Sequence, residues 1–509
     1  MTKKADKPNS ELGTRLANTG DLHRAEQATK RHQKSYNTAR ENISKLCDGN
    51  PFNEYGQLAV AAQRQRKSYE DLQTETAADG VITGVTAINT KSIELCEVTS
   101  GSHNTALIVN DYSVMAGTQG YFHHLKVDRL LHIAAKKGLP VIMLTEGGGG
   151  RPGDTDVTTI NSGLQCATFA QWAGLSGKVP RIALNNGYCF AGNAALFGVA
   201  DITIATKTSS IGMAGPAMIE GGGLGKFAPA EIGPIDMQAR NGVVDIVVED
   251  ENAGIELAKK CLGFFQGASK TWAAPDTSVL NSVLPEDRRY VYDVYKIINA
   301  VVDVNSFVEL GAAYGGAIIQ GFARLEGKPI GLIANNCKVL GGAIDVDAAN
   351  KVNRFMNLCE QFCIPIVSLC DTPGFMVGPE HEKRGAVRHL SQLFTTGANL
   401  SIDFIAVVIR KCYGLGAQAM LSGSTSKPSY MLSWPQGEFG PMGLEGAIKL
   451  GFKKELAEQT NDKKRQALFD KLLAQQYEKG KAIEVATMLE IDAVIEPSDT
   501  RSTIIAALG

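Results

Sequence analysis

A run of apolar residues that passes into a glycine-rich stretch occurs twice along the chain. Residues 405–409 are all apolar and lead into the stretch 413–417, and residues 182–187 lead in the same way into 190–194. Each pattern predicts a buried strand that ends at glycine and continues as a helix of small residues. The first N–H groups of such a helix have no partner within it and lie at the positive end of the helix dipole, so they can bind a developing oxyanion.

Elsewhere the hydrophobic periodicity predicts strands that alternate with helices. The polar stretch 1–47 has helix-like apolar spacing at Tyr36, Ile43 and Leu46, and we expect a helical segment that packs on the body or on a neighbouring subunit. The pattern then predicts strands at 79–87, 91–98, 104–109, 140–146 and around 201–204, with a helix at 127–137. This alternation is typical of an α/β fold with a mainly parallel sheet covered by helices.

The second half of the chain repeats the first. Gly117 and Gly342, Pro140 and Pro365, and Glu146 and Asp371 are each separated by 225 positions, and Gly192 is paired with Gly416 at 224. A spacing held over several anchors predicts an internal duplication, with one oxyanion turn in each half. Because periodicity lapses between Gly267 and Asp287, we predict a helical segment 1–47, an N-terminal domain 48–270, a linker 271–287 and a C-terminal domain 288–509.

Composition limits the partners that the protein can have. The 509 residues carry a formal net charge of -2 and 20% charged side chains, without the global basic field that would favour nucleic acid or an anionic membrane. No apolar run reaches the roughly 18 residues of a membrane span, and the polar start lacks the core of a signal peptide, so we expect a cytoplasmic protein. The cysteines are scattered, and Cys359 and Cys363 on one predicted helix are expected to be reduced core thiols, with neither disulfides nor a metal site.

Several motifs make the duplication specific. The second half contains DTPGF at 371–375, RKCYG at 410–414 and SWPQGEFGPMG at 433–443, and the first half contains SIGMAGP at 210–216 and GGGLGKFAPAEIG at 221–233. From about residue 39 to residue 501 the chain resembles the carboxyltransferase (beta) subunits of biotin-dependent acyl-CoA carboxylases, which act on acetyl-, propionyl-, methylcrotonyl- or long-chain acyl-CoA. Within that family, residues 414–420 and 234–238 are most similar to the broad-range and long-chain enzymes. The resemblance implies two tandem crotonase-like domains, each with a mainly parallel sheet flanked by helices.

The resemblance also implies where the reaction takes place. The N-terminal half would bind the acyl-CoA and stabilise its enolate with backbone N–H groups around Ala191 and Gly192, and the C-terminal half would stabilise the ureido oxygen of biotin with those around Leu415 and Gly416. Biotin would be the base, so no catalytic side chain is required. Ala191 and Leu415 stand where the family usually has glycine, which keeps the N–H groups but changes the pocket shape. The other residues expected to bind substrate are Gly148, Gly149, Arg151, Asn193, Gly215, Lys226, Asp371, Thr372, Pro373, Gly374, Phe375, Tyr413, Gly414 and Gln418.

Basic and glycine-rich positions near the first oxyanion turn have two interpretations. Arg151, Lys226 and Arg240 are candidates for binding the phosphates of CoA, because an anionic nucleotide needs cations at the rim of its pocket. An isolated arginine or lysine is nevertheless more often a solvated surface charge. The glycines at 221–225 form either a mobile loop that closes on the thioester or a plain surface turn.

Other candidate residues also have two interpretations. Glu146 and Asp371 end equivalent strands and could act as acids or bases, although duplicated placement favours a structural cap of the glycine loop that follows. Tyr413 either lines the biotin cleft or belongs to the core. Leu415 and Gln418 either face the acyl or biotin pocket, where they would set chain length, or pack inside the domain.

The chain is expected to work with other proteins. It contains neither a biotin-carrying Met-Lys-Met segment nor an ATP-grasp region, so we expect carboxybiotin to arrive on a separate biotin carboxyl carrier protein, together with a biotin carboxylase. The resemblance implies a homo-oligomer in which dimers share sites and three dimers form a hexamer. Two other functions remain open: a malonyl- or methylmalonyl-CoA-type decarboxylase that runs the chemistry in reverse, and an inactive scaffold subunit.

Overall fold

The computed structural model describes residues 10–96, 102–158, 162–288 and 290–509. These form two compact units, Met1–Ala268 and Ser269–Gly509. Each unit contains one large, mainly parallel sheet with helices packed on it, so the predicted α/β class is confirmed. Residues 97 and 98 of the strand predicted at 91–98 lie outside the described residues, and the strand found there spans Ile93–Leu95.

The first unit is built on one seven-stranded sheet, and four further strands form two two-stranded sheets. Its strands are β1 (Asn53–Tyr55), β2 (Val81–Ala87), β3 (Ile93–Leu95), β4 (Asn104–Asn110), β5 (Val141–Leu144), β6 (Arg181–Asn185), β7 (Tyr188–Phe190), β8 (Ile202–Thr206), β9 (Ser210–Gly212), β10 (Ile246–Val248) and β11 (Gly267–Ser269). The order of the seven-stranded sheet is β1-β2-β4-β5-β6-β8-β10, with β1-β2 and β2-β4 antiparallel and the other pairs parallel. The two-stranded sheets are β11-β3 and β7-β9. Strands β5, β6 and β8 are buried along their whole length, as parallel strands covered on both faces should be.

Helices cover this sheet. They are α1 (Glu11–Ala17), α2 (Ala25–His32), α3 (Ala39–Cys47), α4 (Tyr69–Glu75), α5 (Tyr121–Lys137), α6 (Thr168–Ala173), α7 (Gly192–Val199), α8 (Pro216–Gly221), α9 (Pro229–Ile232), α10 (Ile235–Arg240) and α11 (Glu251–Gln266). Helix α5 packs against β2 and β4, whereas α11 packs against β6 and β8. Helix α5 begins six residues before the predicted helix, because the Asp154 carboxylate accepts a hydrogen bond from the Tyr121 N–H at 2.8 Å and caps the helix from a distant loop.

The second unit repeats this plan. Its strands are β12 (Val308–Glu309), β13 (Ile318–Leu325), β14 (Lys328–Asn335), β15 (Ile366–Thr372), β16 (Phe404–Tyr413), β17 (Tyr430–Ser433), β18 (Glu438–Gly440) and β19 (Ala493–Val494). The sheet order is β12-β13-β14-β15-β16-β17-β19, and β18 extends the pairing of β16. Its helices are α12 (Val294–Val301), α13 (Val346–Gln361), α14 (Pro379–Glu382), α15 (Ala386–Ala398), α16 (Gly414–Met420), α17 (Leu444–Gly451), α18 (Lys453–Ala457), α19 (Asp462–Lys479), α20 (Ala482–Thr487) and α21 (Thr500–Leu508).

The register of the sheets relates the two units residue by residue. The pairs in register are Val141 with Arg181 and Gly147 with Cys189 in the first unit, and Ile366 with Phe404 and Thr372 with Cys412 in the second. The offset is therefore 225 between β5 and β15 but 223 between β6 and β16. Leu415 thus corresponds to Gly192, and Gly416 to Asn193. The predicted pairing of Gly192 with Gly416 is wrong by one residue, because the connection between the two strands is two residues shorter in the second unit.

The cysteines and the helix lengths bear on the other expectations. All ten cysteines are free thiols, and Cys359 is buried in α13. The prediction of a core thiol is wrong for Cys363, which is exposed because the helix ends at Gln361 and the chain turns there with φ +54° at the cysteine.

Within the described ranges, no helix has both the length and the apolar character needed to cross a membrane. The same residues contain no cluster of three metal-ligating side chains.

Candidate active site

Three turns of the first unit meet at the carboxyl end of its sheet. They are the left-handed turn 115–117, the glycine loop 147–150 after β5, and the turn that leads into α7. The Gln119 N–H donates to the Gly149 carbonyl at 2.7 Å, and the Arg151 N–H donates to the Gln119 carbonyl at 2.8 Å. These bonds fix the glycine loop beside the left-handed turn.

This arrangement leaves two backbone donors of the first unit without partners. In the glycine loop the N–H groups of residues 147–149 all have acceptors, whereas that of Gly150 has none among the described residues. Gly192 is the first residue of α7, so its N–H has no acceptor within the helix. The chain enters α7 through Ala191 at φ +50° and ψ -119°, a conformation that a residue with a side chain rarely adopts. The N–H groups of Gly150 and Gly192 are the donors that can bind an oxyanion.

Asn193 ties the glycine loop to α7. Its side chain is fully buried, its Oδ1 accepts a hydrogen bond from the Gly149 N–H at 3.0 Å, and its Nδ2 donates to the Gly117 carbonyl at 3.5 Å. A Cβ at Gly149 would lie 2.7 Å from the Cβ of Ala191, so the loop and the turn before α7 touch there. These contacts give the Asn193 side chain a structural role in holding the loop, and its role in binding substrate stays a prediction.

The second unit has the same arrangement at the positions that the duplication predicts. The Ile344 N–H donates to the Gly374 carbonyl at 3.1 Å, and the Met376 N–H donates to the Ile344 carbonyl at 2.9 Å. The N–H of Phe375 has no acceptor in the part of the chain that the structure describes. Leu415 lies in the first turn of α16, where its N–H has no intrahelical acceptor. Phe375 and Leu415 thus carry the donors that correspond to those of the first unit.

Close packing explains the small residues of this second turn. A Cβ at Gly416 would lie 2.4 Å from the carbonyl carbon of Gly374 and 2.7 Å from the nitrogen of Phe375. Gly414 has φ +60° and takes the place of Ala191. The buried hydroxyl of Thr372 accepts a hydrogen bond from the Gly374 N–H at 3.1 Å, so this side chain shapes the loop, and its role in binding substrate stays a prediction. Gly416 is therefore required for the approach of the loop to α16.

The carboxylate that precedes the second loop is part of the framework. Asp371 is buried, its Oδ2 lies 3.0 Å from the Arg410 guanidinium, and its Oδ1 accepts a hydrogen bond from the Lys411 N–H at 3.0 Å. Tyr413 is also buried, and its hydroxyl donates to Glu438 Oε2 at 2.7 Å. These contacts favour the structural interpretation of Asp371 and the core interpretation of Tyr413, and a role of either residue in binding substrate stays a prediction.

Glu146, the equivalent of Asp371, is also held by an arginine. The Arg31 guanidinium donates to Oε1 at 3.0 Å and lies 2.8 Å from Oε2. Burial raises the pKa of Glu146 to about 7, although Arg31 lowers it, and the nearby carboxylates Glu251 and Asp111 raise it further. Arg31 of α2 thus links the Glu146 carboxylate to Glu251 of α11, which lies 3.7 Å from the guanidinium. The contacts of Glu146 favour a structural cap.

The basic residues proposed for the CoA phosphates lie in different environments. The Arg151 side chain is only 2% exposed, bonds to Asp79, and donates to the Thr118 carbonyl at 2.8 Å, so these contacts favour a structural role over that of a phosphate ligand. The Lys226 side chain is 84% exposed and lies 3.6 Å from Glu220. Arg240 is exposed at the end of α10. Lys226 and Arg240 are accessible to a phosphate, and Arg151 is not.

Comparison with known protein families identifies the fold. The profile described as "Carboxyl transferase domain" matches residues 30–509. The chain belongs to this family. The methylmalonyl-CoA carboxyltransferase 12S subunit of Propionibacterium freudenreichii subsp. shermanii is 30% identical over 489 residues, which cover 94% of this chain and 89% of that protein. The biotin-dependent long chain acyl-coenzyme A carboxylase beta4 subunit of Mycobacterium tuberculosis is 29% identical over 512 residues, which cover 97% and 92%.

Solved structures agree with this assignment. A single-chain, multi-domain long-chain acyl-CoA carboxylase is 47% identical with a TM-score of 0.91; the match covers 99% of this chain and 49% of that one. This carboxyltransferase therefore spans about half the length of that enzyme. The transcarboxylase 12S crystal structure with methylmalonyl-coenzyme A bound is 27% identical with a TM-score of 0.83, and the match covers 99% and 96%. The carboxyltransferase fold is crotonase-like, as expected from the motifs.

The exposed side of α16 distinguishes the two interpretations of Leu415 and Gln418. Leu415 is 60% exposed, and Gln418, one turn later, is also exposed. Within the second unit, the interpretation in which both side chains pack inside the domain is therefore wrong. Pro373 and Gly148 are exposed beside the two loops, and Gly215 precedes α8. These positions border the donors of the two units.

Sequence reasoning missed one residue of this candidate site. The Gly150 N–H has no acceptor among the described residues, whereas the prediction named Gly148 and Gly149, whose N–H groups donate to the Ala116 carbonyl and to Asn193 Oδ1. The internal repeat could have identified Gly150, because the offset of 225 makes it the equivalent of Phe375, which was predicted. Applying the repeat to every site residue would have found it.

Proposed function

We propose that this carboxyltransferase moves a carboxyl group from carboxybiotin to the α-carbon, or a vinylogous carbon, of an acyl-CoA. The first unit would hold the enolate of the thioester with the N–H groups of Gly150 and Gly192. The second unit would hold the ureido oxygen of biotin with those of Phe375 and Leu415. The observation that carries the proposal is the repeated arrangement of two unpaired backbone donors on touching turns. A reaction with two developing oxyanions accounts for both copies.

Backbone donors can supply much of the acceleration in this proposal. Loss of one oxyanion donor costs roughly 3 to 4 kcal/mol in enzymes where it has been measured. Bound biotin supplies the carboxyl group and then the base for the α-proton. The carboxylates nearest the loops, Glu146 and Asp371, are each paired with an arginine and serve as framework. The protein's task is then to hold and orient both substrates.

Features of α16 support the biotin side of the proposal. The exposed positions Leu415 and Pro373 lie beside the donors, so a ureido oxygen can approach them from solvent. A separate biotin carboxyl carrier protein would deliver the group, and a biotin carboxylase would carboxylate it. The long chain relative of Mycobacterium tuberculosis is named as biotin-dependent, which supports both partners. We also propose a homohexamer, since the transcarboxylase 12S crystal structure is described as a hexamer assembly.

The acyl group is proposed to be broad-range or long-chain. The 47% identity to the single-chain long-chain acyl-CoA carboxylase supports this class. Leu415 and Gln418 lie one helical turn apart on the exposed side of α16. There they would face the acyl or biotin pocket and set the length of the acyl chain that the enzyme accepts. Discrimination would be gradual, because one methylene changes binding by only ~1 to 3 kcal/mol.

The purified chain tests the proposal through decarboxylation of malonyl-CoA, methylmalonyl-CoA and a long-chain carboxyacyl-CoA, with and without free biotin. We expect loss of the thioester carboxyl group only when biotin is present, together with formation of carboxybiotin. Loss without biotin would replace the proposal with a decarboxylase. Failure to bind or turn over every thioester, even with carrier protein added, would support the scaffold alternative.

A further inference from the structure

The two units hold equivalent carboxylates in different ways. Asp371 is the penultimate residue of strand β15, and Glu146 lies two residues after the equivalent strand β5. Both precede the loops that carry Phe375 and Gly150. In the second unit the arginine comes from the adjacent strand, because Arg410 of β16 lies 3.0 Å from Asp371. The carboxylate and its arginine are both buried, with side chains 2% and 5% exposed. The loop after β15 is therefore anchored from within its own sheet.

The first unit lacks an arginine at the corresponding position. The register of the sheets makes Gly187 of the first unit the equivalent of Arg410 in the second. A Cβ at Gly187 would lie 2.7 Å from Glu146 Oε1, so this position faces the carboxylate but offers no side chain to bind it. Gly187 also has φ +82°, which disfavours a side chain there. The anchor of the first loop has to come from elsewhere in the chain.

Arg31 of α2 provides that anchor. Its guanidinium binds both oxygens of Glu146, at 3.0 and 2.8 Å, and a third contact to Glu251 on α11 lies at 3.7 Å. Its Nε donates to the Asn37 carbonyl at 3.0 Å, and the guanidinium lies over the Tyr36 ring. The side chains of Arg31 and Glu146 are only 11% and 10% exposed, so this paired arrangement is well shielded from water.

We infer that Arg31, supplied by the N-terminal helical segment, is a positioning residue for the glycine loop that carries the Gly150 donor. Glu146 is covalently followed by Gly147, whose N–H donates to the Tyr188 carbonyl at 2.8 Å. Removal of the arginine would leave a buried carboxylate next to Glu251 and Asp111 without its cation, and the strand end would have to move or take up a proton. This inference rests on the proposed function, because it assigns Arg31 to the acyl-CoA side of that reaction.

One side of this ion pair borders an open cavity. It has a volume of about 640 Å³ and is lined by Lys30, Lys34, Tyr36 and Tyr188 in addition to Arg31 and Glu146. A small cation from solvent can therefore reach Glu146 if the arginine side chain is shortened. Chemical rescue separates a positioning guanidinium from a residue that only stabilises the fold.

The test uses the full chain with Arg31→Ala, assayed in biotin-dependent decarboxylation of the thioester that the wild type turns over best. We expect kcat/KM for the thioester to fall about 10- to 100-fold, the range that a displacement of about 1 Å produces. Millimolar guanidinium chloride should restore a large part of the loss, whereas methylammonium chloride should restore less because it cannot bind both oxygens. Arg31→Lys should show an intermediate activity and no rescue.

The matched control is Arg40→Ala, which breaks another ion pair of the same segment. Arg40 binds Glu54 at 2.5 Å, on the edge strand β1, and does not contact Glu146. This variant should keep the wild-type rate and show no response to guanidinium. Equal activity of Arg31→Ala and wild type, or an equal loss in Arg40→Ala, would overturn the inference.

Two further outcomes are distinguishable. If Arg31→Ala does not fold, Arg31→Lys carries the test, and a folded Arg31→Lys with wild-type kcat/KM would overturn the inference. An active wild type with an unaffected Arg31→Ala refutes the role of Arg31 alone. A wild type that neither binds nor turns over a thioester refutes the proposed function and the inference with it.

Discussion

Leu415 and Gly192 occupy equivalent positions, and the proposed reaction uses only the backbone N–H of each. A side chain at such a position changes the pocket but not the donor, so glycine was a poor guide to the site. Glu146 and Asp371 were identified from the repeat as equivalent strand ends, and their contacts favour the structural interpretation. Their arginines could not be paired from the sequence, because Arg31 lies 115 residues from its carboxylate while Arg410 lies 39 from its own. Residue types were predictable, but distant partners were not.

Glu146→Gln tests the buried carboxylate. The pKa of Glu146 is about 7 in the folded chain against an ordinary 4.5, so the folded state binds more protons than the unfolded state between these values. The stabilisation from this proton is complete below about pH 4.5 and is lost as the pH rises through about 7. We expect the stability advantage of wild type over the variant to fall by about 2 kcal/mol between about pH 5.5 and 7.5. Urea denaturation at both pH values measures it.

The rate of the same variant distinguishes the two roles of Glu146. A structural carboxylate predicts a kcat within about tenfold of wild type, because no proton passes through the side chain. A loss beyond about 1,000-fold with the fold intact would instead indicate acid or base catalysis. Parallel pH dependences of stability in both proteins would contradict the assignment of the proton to Glu146.

At the scale of elements, each site is a loop held against the start of a helix. In the first unit Asn193 of α7 accepts a hydrogen bond from the Gly149 N–H and so ties the loop to the helix. In the second unit Thr372, at the end of β15, accepts from the Gly374 N–H, and the loop packs directly on Gly416 of α16. Hydrophobic patterns predicted the strands and the small-residue helices, since their signals are local. The start of α5 was missed because its cap comes from Asp154, 33 residues away.

Asn193→Ala and Thr372→Ala should distinguish the contributions of the two loops to turnover. Each change leaves a buried backbone N–H without its acceptor, which costs about 1 to 3 kcal/mol and loosens one loop. We expect Asn193→Ala to weaken turnover mainly through the thioester, with a higher KM for the acyl-CoA. Thr372→Ala should mainly raise the concentration of free biotin that is needed. Steady-state kinetics with each substrate varied in turn measure the effect, and equal effects of both changes on both substrates would contradict the division.

At the scale of the molecule, the chain consists of two units with the same sheet order and the same loop geometry. The repeat could be found in the sequence because glycine, proline and acidic residues recur at turns and strand ends, where backbone geometry restricts the choice. The change of offset from 225 to 223 could not be located, because it arises in a connection whose length is free to vary. The register of the strands was needed to match Leu415 with Gly192.

The most direct test of the oxyanion assignment removes the backbone N–H donors of residues 192 and 415. Gly192→Pro and Leu415→Pro each remove one backbone N–H in the first turn of a helix, where proline is tolerated. A Cβ at Gly192 would lie 2.1 Å from the end of the Gln119 side chain, which has to move aside in Gly192→Pro. Asp462→Pro, at the first residue of α19, is the control for proline at a helix start outside the site.

We would measure biotin-dependent decarboxylation of the best thioester by these three variants, with thioester binding by calorimetry and folding by circular dichroism. Both site variants should lose about 100- to 1,000-fold in kcat, and thioester binding should weaken mainly in Gly192→Pro, while Asp462→Pro remains at the wild-type rate. A folded Gly192→Pro or Leu415→Pro with wild-type kcat would contradict the claim that the two turns stabilise the oxyanions of the reaction.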